Sequence, residues 1–268
     1  MLLASIVALS VASAAPARDI HSTFDTTLDT YVRDGYVYYK SLQTSRKPLD
    51  AYVQSLDIPA ATVAAWPKPE QMAFWINVYN ALVLQTVIDK YPIKGESAAF
   101  PSNSIQQIPG AYQTKQHRVA GQSLTLDAIE KTVAGFGDAR ALLALGRGAL
   151  GSGRLKSEAY RAATLDAQLD TAVKEFAART ACVKIDAGAN EFTVSPLFGW
   201  REDAFVASFR ASDASPWANR SRLEQAILVM TSPKLFASER DFLLRNTFQL
   251  RYGPFDWRLN DLTGGIPN

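Results

Sequence analysis

The chain has 268 residues, of which 47% are hydrophobic and 20% charged, the composition of an ordinary soluble globular protein. A formal net charge of +2 without a cluster of Lys and Arg argues against a nucleic-acid-binding surface, so we expect no nucleic acid as a partner. The single cysteine, Cys182, cannot form an internal disulfide, and a hydrophobic core must therefore supply the stability.

The N-terminal residues read as a secretory signal peptide. Residues 2–12 form an apolar run, and small residues at positions 12–15 offer a cleavage site before Pro16, although no basic segment precedes the run. The run is too short to span a bilayer. We therefore expect a signal peptide over residues 1–15, one domain over residues 16–268, and an exported protein, periplasmic or secreted, without membrane insertion after signal removal. The alternative is a short N-terminal core helix.

The residues after this segment predict two amphipathic helices and a short strand. Apolar residues recur at helical spacing over residues 22–33 and again over residues 48–56. Between them, the turn dipeptide Asp34-Gly35 precedes residues 36–39, whose sequence Tyr-Val-Tyr-Tyr is typical of a strand. Helices and strands are thus already mixed in the first part of the chain.

Residues 69–92 are the segment around which the chain is organised. Almost every position from Met72 to Ile88 is apolar, and a run of this length that is apolar nearly all round predicts a buried helix. Asn77 and Asn80 interrupt it on one face, roughly 60° apart, with Glu70 nearby. A buried amide costs about 1–3 kcal/mol unless its hydrogen bonds are met. The two amides therefore either lock neighbouring backbone together or line a cavity.

The second half of the chain predicts further helices and strands without regular alternation. The predicted strands are residues 112–119 with 121–124 as one hairpin, 140–145 as a buried strand, 181–185 with 191–195 as a second hairpin, and 248–252. The predicted helices follow Thr125 as an N-cap and cover residues 165–178 and most of residues 201–248, with one starting at Ser232-Pro233 and covering residues 234–245. The fold class is therefore α+β: a single domain with a long buried central helix packed against a small, mostly antiparallel sheet.

A glycine-rich run at residues 146–153 resembles a nucleotide-binding loop only in part. Residues 146–151 match G-x-G-x-x-G, but no helix opens within the motif and no strand ends in an acid about 20 residues later. A tight loop in which backbone approaches backbone is the better interpretation. His and Cys do not cluster at ligand spacing, so the sequence predicts neither a metal site nor a cofactor.

Ser152, between two glycines, is the candidate nucleophile. A serine nucleophile needs a base within hydrogen-bond reach, and His117 or Glu130 could serve as that base. The alternatives are that His117 is a surface histidine and that Glu130, on the core side of a helix, pairs with Arg140 or Arg154. Cys182, in a predicted strand, is interpreted as a buried inert thiol.

Several segments resemble, in the same order, the bacterial and plant domain of unknown function numbered 547 (DUF547). The resemblance rests on E-Q-M-A-F-W-I-N-V-Y-N-A-L at residues 70–82, on Gly-Tyr-Val-Tyr-Tyr at 35–39, on Gly121 to Leu124 with Ile129 and Glu130, on residues 194–200 with Asp203 and Phe205, and on F-D-W-R-L-N at 255–260. These matches cover nearly the whole chain after the predicted signal peptide.

The resemblance implies an α+β fold, distantly similar to papain-like or transglutaminase-like thiol enzymes. The family pattern approximates R-I-H-F-A-L…C…G-C-P-P-L. In the corresponding run Arg140 is kept, Leu142 stands at the histidine position, and Arg147 and Ser152 stand at the two cysteine positions. Leucine cannot transfer a proton, and a serine without an activating base is a poor nucleophile. The resemblance therefore implies the scaffold of a thiol enzyme without its usual catalytic groups.

Three hypotheses follow. The favoured one is a non-catalytic or repurposed family member that binds a small or peptide-like ligand in a polar pocket around the central helix. That pocket would be formed by Glu70, Asn77, Asn80, Glu130, Arg140, Arg154, Asp256 and Asn260. The second is an active hydrolase or acyl transferase with Ser152 as nucleophile, His117 or Glu130 as base, and backbone N–H groups of residues 151–153 as oxyanion donors. The third is a structural or interaction protein whose polar groups only pack the core.

Overall fold

A computed structural model describes residues 19–210 and 215–262, so the predicted signal peptide over residues 1–15 lies outside the described residues. The helices are α1 (Ser22–Tyr31), α2 (Tyr39–Thr44), α3 (Lys47–Ser55), α4 (Ala60–Ala64), α5 (Lys68–Ile88), α6 (Leu126–Ala134), α7 (Arg140–Leu143), α8 (Leu165–Ala177), α9 (Leu197–Trp200), α10 (Glu202–Ser208), α11 (Arg222–Thr231) and α12 (Ala237–Leu244). The strands are β1 (Val32–Arg33), β2 (Tyr36–Val37), β3 (His117–Val119), β4 (Gln122–Leu124), β5 (Val183–Asp186), β6 (Glu191–Val194) and β7 (Gln249–Tyr252). Helices and small, mostly antiparallel sheets thus make the predicted α+β fold.

The central helix α5 is buried along nearly its whole length, as predicted. From Met72 to Ile88 every side chain except Gln85 is buried, because the sequence there is apolar on every face. Pro69 lies in the first turn, where its missing N–H has no helical partner to lose. The neighbours that contact α5 most are the helices α2, α3 and α6 rather than a sheet. The strands are too short to cover a helix of 21 residues, which is about 31 Å long.

No helix in residues 19–210 and 215–262 is long and apolar enough to cross a membrane.

Both predicted hairpins are present, but the first is shorter than predicted, because residues 112–116 are not part of a strand. His117 pairs with Leu124 in the antiparallel hairpin β3–β4, and Val183 pairs with Val194 in β5–β6. The strand β7 then adds to β6 in parallel, which makes a three-stranded sheet in the order β5-β6-β7. The predicted strand at residues 36–39 is shorter than expected, since only Tyr36–Val37 pairs with β1 before α2 begins.

Two sequence predictions of secondary structure are wrong. Residues 140–145 are not a strand: Arg140–Leu143 is one short helix, and every side chain from Ala141 to Leu145 is buried. A short apolar run without periodicity does not separate a buried strand from a buried helical turn, which explains the error. The helix predicted over residues 234–245 is divided into a 3₁₀ turn at Ser232–Lys234 and the helix α12.

The C-terminal segment after β7 returns to the N-terminal part of the chain. The N–H of Val37 donates to Asn260 O and the N–H of Leu262 donates to Val37 O, each at 2.9 Å. Within the same segment, Arg258 O accepts from Leu150 N at 2.9 Å. These bonds hold residues 253–262 across the glycine-rich loop and place Trp257 beside the loop that follows α7.

Candidate functional site

The loop that contains Ser152 is closed by its own backbone. The Ser152 hydroxyl donates to Ala149 O at 2.6 Å and accepts from Arg147 N at 3.1 Å, and the residue is 1% exposed. The N–H of Gly151 donates to Asp256 O and the N–H of Ser152 donates to Ala149 O. Two of the three N–H groups proposed as oxyanion donors are therefore already used within the fold.

The glycines of this loop allow the close backbone contact that the sequence predicted. A side-chain carbon added at Gly151 would lie 2.7 Å from Asp256 N, and one added at Gly153 would lie 2.0 Å from Leu143 O. Gly148 has a φ of +65°, in the left-handed region that favours glycine. The loop is thus a packing device, in agreement with the tight-loop interpretation.

Neither base proposed for Ser152 forms a hydrogen bond with its hydroxyl. His117 lies in β3, and its ring faces surroundings that include Val53, Leu82 and Lys115. It is 6% exposed, so the surface-histidine alternative is wrong; burial, and next the positive charge of Lys115, lower its pKa to about 4. Glu130 is engaged by arginines described below. Within the described residues, the Ser152 hydroxyl therefore has backbone partners and no base.

The two asparagines of α5 are backbone locks. Asn77 Nδ2 donates to Tyr160 O at 2.8 Å, and Asn77 Oδ1 accepts from Tyr160 N at 2.9 Å. Asn80 Nδ2 donates to Ala144 O at 3.2 Å, and Asn80 Oδ1 accepts from Gly146 N at 2.8 Å. Each amide thus replaces a backbone pair between α5 and an irregular segment, which is the structural alternative left open by the sequence.

The remaining predicted ligand-binding residues are dispersed. Arg140 binds Asp138 and Asp166, Arg154 binds Asp34, Asp256 binds Arg258, and Asn260 binds the Tyr39 hydroxyl and Gly35 O. Glu70 lies half-buried in the first turn of α5. Arg140, Arg154, Asp256 and Asn260 each have different partners, and in the described part of the chain they are not gathered around one cavity. Cys182 is buried next to β5, and burial raises the pKa of its thiol, consistent with the inert-thiol interpretation.

A different set of polar residues comes together beside α6. The N-cap Thr125, whose hydroxyl accepts from Ala128 N at 3.1 Å, fixes the start of this helix. Asp127 and Glu130 follow three positions apart, and this spacing places them on one face. Facing them are Arg147, from the loop after α7, and Arg201, from the junction of α9 and α10. The expectation that Arg140 or Arg154 pairs with Glu130 is therefore wrong.

Glu130 is held between two guanidinium groups. Its Oε1 lies 2.9 Å from Arg147 Nη2 and accepts from Arg201 Nε at 3.0 Å. Its Oε2 accepts from Arg147 Nε at 3.2 Å and from the Tyr79 hydroxyl at 3.4 Å. Arg201 Nη2 also donates to Asp127. The result is a network of two cations and two anions whose inner pair, Glu130 and Arg147, is buried.

Arg147 is fixed from several directions, yet one of its nitrogens lacks a well-aligned acceptor. Nη1 donates to Leu142 O at 3.3 Å, and the carbonyl oxygen of Arg147 accepts from the Tyr112 hydroxyl. Nη2 makes the short ion-pair contact with Glu130, but no acceptor in residues 19–210 and 215–262 meets the geometry of a hydrogen bond to it. The charge of this buried nitrogen is met by the Glu130 carboxylate through that ion pair.

The network fixes the charge state of its members. Burial raises the pKa of Glu130, but Arg147 and Arg201 outweigh this effect and hold that pKa below its ordinary value. Burial also opposes the ionisation of Asp127, and the hydrogen bonds from Lys131 and Arg201 hold its pKa low. The pKa of Arg147 is raised, because Glu130 outweighs the effect of burial. All four groups are therefore charged at neutral pH.

Aromatic rings complete the walls of a cavity at this network, which we name the Arg201 cavity. It has a volume of 260 Å³ and is lined by Gln106, Tyr112, Gln113, Asp127, Glu130, Arg147, Trp200, Arg201 and Trp257. The Trp200 and Trp257 rings stack at 5.8 Å with an angle of 16° between their planes. Phe255 packs against both, at 4.8 Å and 4.4 Å. Trp200 is 43% exposed, so the stack forms part of the mouth.

The charge states and residue types of the lining limit the chemistry that this cavity can perform. Glu130 and Asp127 are held ionised and would not donate a proton, and an arginine does not serve as a base. The cavity lining holds no Ser or Cys that could act as a nucleophile. No group of three or more His, Cys, Asp or Glu side chains in the described part of the chain could hold a metal ion. What remains is a small polar chamber with an aromatic mouth.

Sequence reasoning named Glu130 but missed its partners. Arg147 stands where the resemblance places the first cysteine, and Arg201 directly follows the matched segment at residues 194–200. The spacing of Asp127 and Glu130 on one helix face was a local signal for a charged site. No local pattern indicated which arginines would meet them, because both come from distant segments.

A family model described as "Protein of unknown function, DUF547" matches residues 63–177 of the chain. This range runs through α5, α6, α7 and α8 and includes Glu130 and Arg147, whereas Trp200, Arg201 and Trp257 lie beyond it. No curated protein and no solved structure matches the chain.

Proposed function

Because the chain belongs to the DUF547 family through residues 63–177, and the family's description assigns no activity, we propose a function from the site itself. The protein is an exported, non-catalytic family member that binds a small or peptide-like ligand in the Arg201 cavity. This proposal moves the pocket expected from the sequence away from Asn77 and Asn80, which are structural, and keeps Glu130 at its centre.

The observation that carries the proposal is the buried Arg147–Glu130 pair beside a cavity with an aromatic wall. A buried ion pair is weak support for stability, since an apolar replacement of similar shape is often as stable. Retaining such a pair at the floor of an open cavity is better explained by binding than by folding. The volume of 260 Å³ lies near the lower limit of ligand pockets, about 300–1,000 Å³, so the part of the ligand that enters is small.

A thermal-shift screen tests the proposal. A library of mono- and oligosaccharides, di- and tripeptides and small carboxylic acids would be added to the purified protein, because a ligand that binds only the folded state raises Tm. We expect at least one compound to raise Tm in the wild type and in Phe236→Ala, which removes an aromatic side chain that is 80% exposed and does not line the cavity. The same compound should have no effect on Trp200→Ala. A library without a Trp200-dependent hit would contradict the proposal.

The export component is tested separately. Expression of the full chain in a bacterial host, followed by fractionation and N-terminal sequencing, should give a mature periplasmic or secreted protein that lacks residues 1–15. Recovery of the intact N-terminus from the cytoplasm would contradict export and leave the ligand-binding component unaffected.

A further inference from the structure

The Arg201 cavity combines features that define one class of ligand, and the following inference rests on the proposed binding function. The first feature is the exposed aromatic stack. Trp200 leaves 43% of its surface in solvent although a buried Trp is worth more to the fold. Its ring is held in place by Phe255 and Trp257 on the protein side. A flat apolar surface prepared in this way suits a ligand with a flat apolar face.

The second feature is the charge balance. The cavity is lined by two arginines and two carboxylates, and each arginine is already paired with a carboxylate. Lys131, outside the cavity lining, pairs with Asp127 at 2.9 Å. The lining itself carries two positive and two negative charges, so its net formal charge is zero and attracts neither an anionic nor a cationic ligand. The balance therefore favours a neutral ligand.

The third feature is the mixture of hydrogen-bonding groups. Asp127 offers acceptors, Arg201 offers donors, and the amides of Gln106 and Gln113 offer both. A ligand that matches this mixture needs many groups that donate and accept. Hydroxyl groups do both, whereas an aromatic ligand of similar size carries few of them.

The fourth feature is a surface depression beside the Arg201 cavity. Its volume is 640 Å³, and Gly199, Trp200, Arg201 and Glu202 are among its lining residues. Trp200 and Arg201 line both depressions, so the surface continues from the cavity past the indole ring. The cavity alone has room for a single ring-sized group, and the adjoining depression can take units linked to it.

We propose that the ligand is a neutral oligosaccharide. One sugar ring enters the Arg201 cavity and stacks its C–H face on Trp200, its hydroxyls bond with Arg201, Asp127 and the amides of Gln106 and Gln113, and the linked units lie along the neighbouring depression. A sugar ring carries an apolar C–H face and a rim of hydroxyls together, which matches the aromatic wall and the mixed hydrogen-bonding groups of the cavity.

Isothermal titration calorimetry of the full chain tests this inference. The probes are three neutral tetrasaccharides (cellotetraose, maltotetraose and chitotetraose), the acidic tetragalacturonate, and the tripeptide Ala-Trp-Ala. We expect at least one neutral tetrasaccharide to bind with a Kd below about 1 mM. Trp200→Ala should weaken that binding by at least about tenfold, Trp200→Phe should keep part of it, and Phe236→Ala should leave it unchanged.

A second readout separates a neutral ligand from a charged one. The affinity for the tetrasaccharide should be the same at low and high salt, because screening acts on charged partners. Absence of binding by all three neutral sugars up to about 10 mM, or equal binding by wild type and Trp200→Ala, would overturn the inference. Trp200-dependent binding of tetragalacturonate or Ala-Trp-Ala in place of the sugars would overturn it while the proposed binding function stands. If neither these probes nor the screened library gave Trp200-dependent binding, both would fall.

Discussion

The Ser152 loop and the Arg201 cavity both hold buried polar groups, but the partners of those groups differ. The Ser152 hydroxyl is bonded to backbone atoms of Arg147 and Ala149, within five positions along the chain. The Glu130 carboxylate is bonded to side chains that come from three other segments, and the cavity beside it is lined by the stacked tryptophans. Polar groups closed by nearby backbone serve the fold, whereas the binding function proposed here rests on side chains that come from distant segments and lie at an opening.

The loop around Ser152, whose sequence is the more similar to that of an enzyme, is the region used for packing. The glycines around Ser152 resemble a catalytic loop because both need backbone freedom. Here that freedom is used to bring Gly151 against Asp256 and Gly153 against Leu143. Arg147 belongs to both regions, since its N–H closes the loop and its guanidinium forms the floor of the cavity.

The largest effect is expected from Glu130→Gln. The amide keeps the shape but removes the charge, so Arg147 becomes a buried cation without a counter-ion, and we expect a loss of about 3–5 kcal/mol in the free energy of unfolding. Urea denaturation measures it. The matched control is Asp166→Asn, which breaks an ion pair whose carboxylate is 89% exposed and should cost less than about 1 kcal/mol. If both variants lost the same free energy of unfolding, the ion pair of Glu130 and Arg147 would be no different from an exposed surface ion pair.

The next effect concerns pH. Burial lowers the pKa of His21 and His117 to about 4, against about 6.5 in the unfolded chain. The unfolded state therefore binds protons first as the pH falls from 6.5, and stability should decrease between pH 6.5 and 4 by up to about 3 kcal/mol per histidine. Above pH 4.5 the carboxylates with lowered pKa, including Glu130, remain ionised and add little to this slope.

Urea denaturation at several pH values checks this prediction. His117→Gln should reduce the slope by about half, because one of the two buried histidines no longer titrates, while ligand binding at the Arg201 cavity should not change. A slope that is unaltered in His117→Gln would show that the ring is not held neutral by burial and would contradict the prediction.

A smaller effect is expected from Ser152→Ala. Loss of the hydroxyl leaves Arg147 N without that acceptor inside the loop, which should cost about 1–3 kcal/mol in the free energy of unfolding. Ligand affinity at the cavity should stay within about twofold of wild type. The wild-type protein should also resist labelling by a fluorophosphonate, a serine-reactive probe. Rapid labelling at Ser152 would support the hydrolase hypothesis and would show that the Ser152 loop is not only a packing element.

The smallest effect on stability is expected from Trp200→Ala. The ring is partly exposed, so removal of its stacking on Trp257 should cost about 1 kcal/mol or less. Phe236→Ala, at a more exposed position, should cost less still. A loss of several kcal/mol from Trp200→Ala, measured by urea denaturation, would mean that the tryptophan stack belongs to the core rather than to a binding surface.

The long helix and the hairpins were predictable from the sequence because their signals are local. An apolar run from Met72 to Ile88 can only be buried, and the turn residues between the paired strands mark where the chain reverses. Because burying an unpaired amide is costly, the sequence left two possible roles for Asn77 and Asn80: holding neighbouring backbone or lining a cavity. Only their contacts with Tyr160 and Ala144 decided in favour of a structural lock.

The sequence by itself determined the α+β class, the buried central helix and the presence of an acidic pair on α6, because each depends on neighbours within a few turns of chain. Only the tertiary structure decided that residues 140–145 form a helical turn, that Arg147 and Arg201 meet Glu130, and that Trp200 stacks on Trp257. The physical reason is that a charge or an aromatic ring takes whichever partner the packing brings to it. Glu130 and Arg201 are 71 positions apart, and nothing in the residues around either one encodes that meeting.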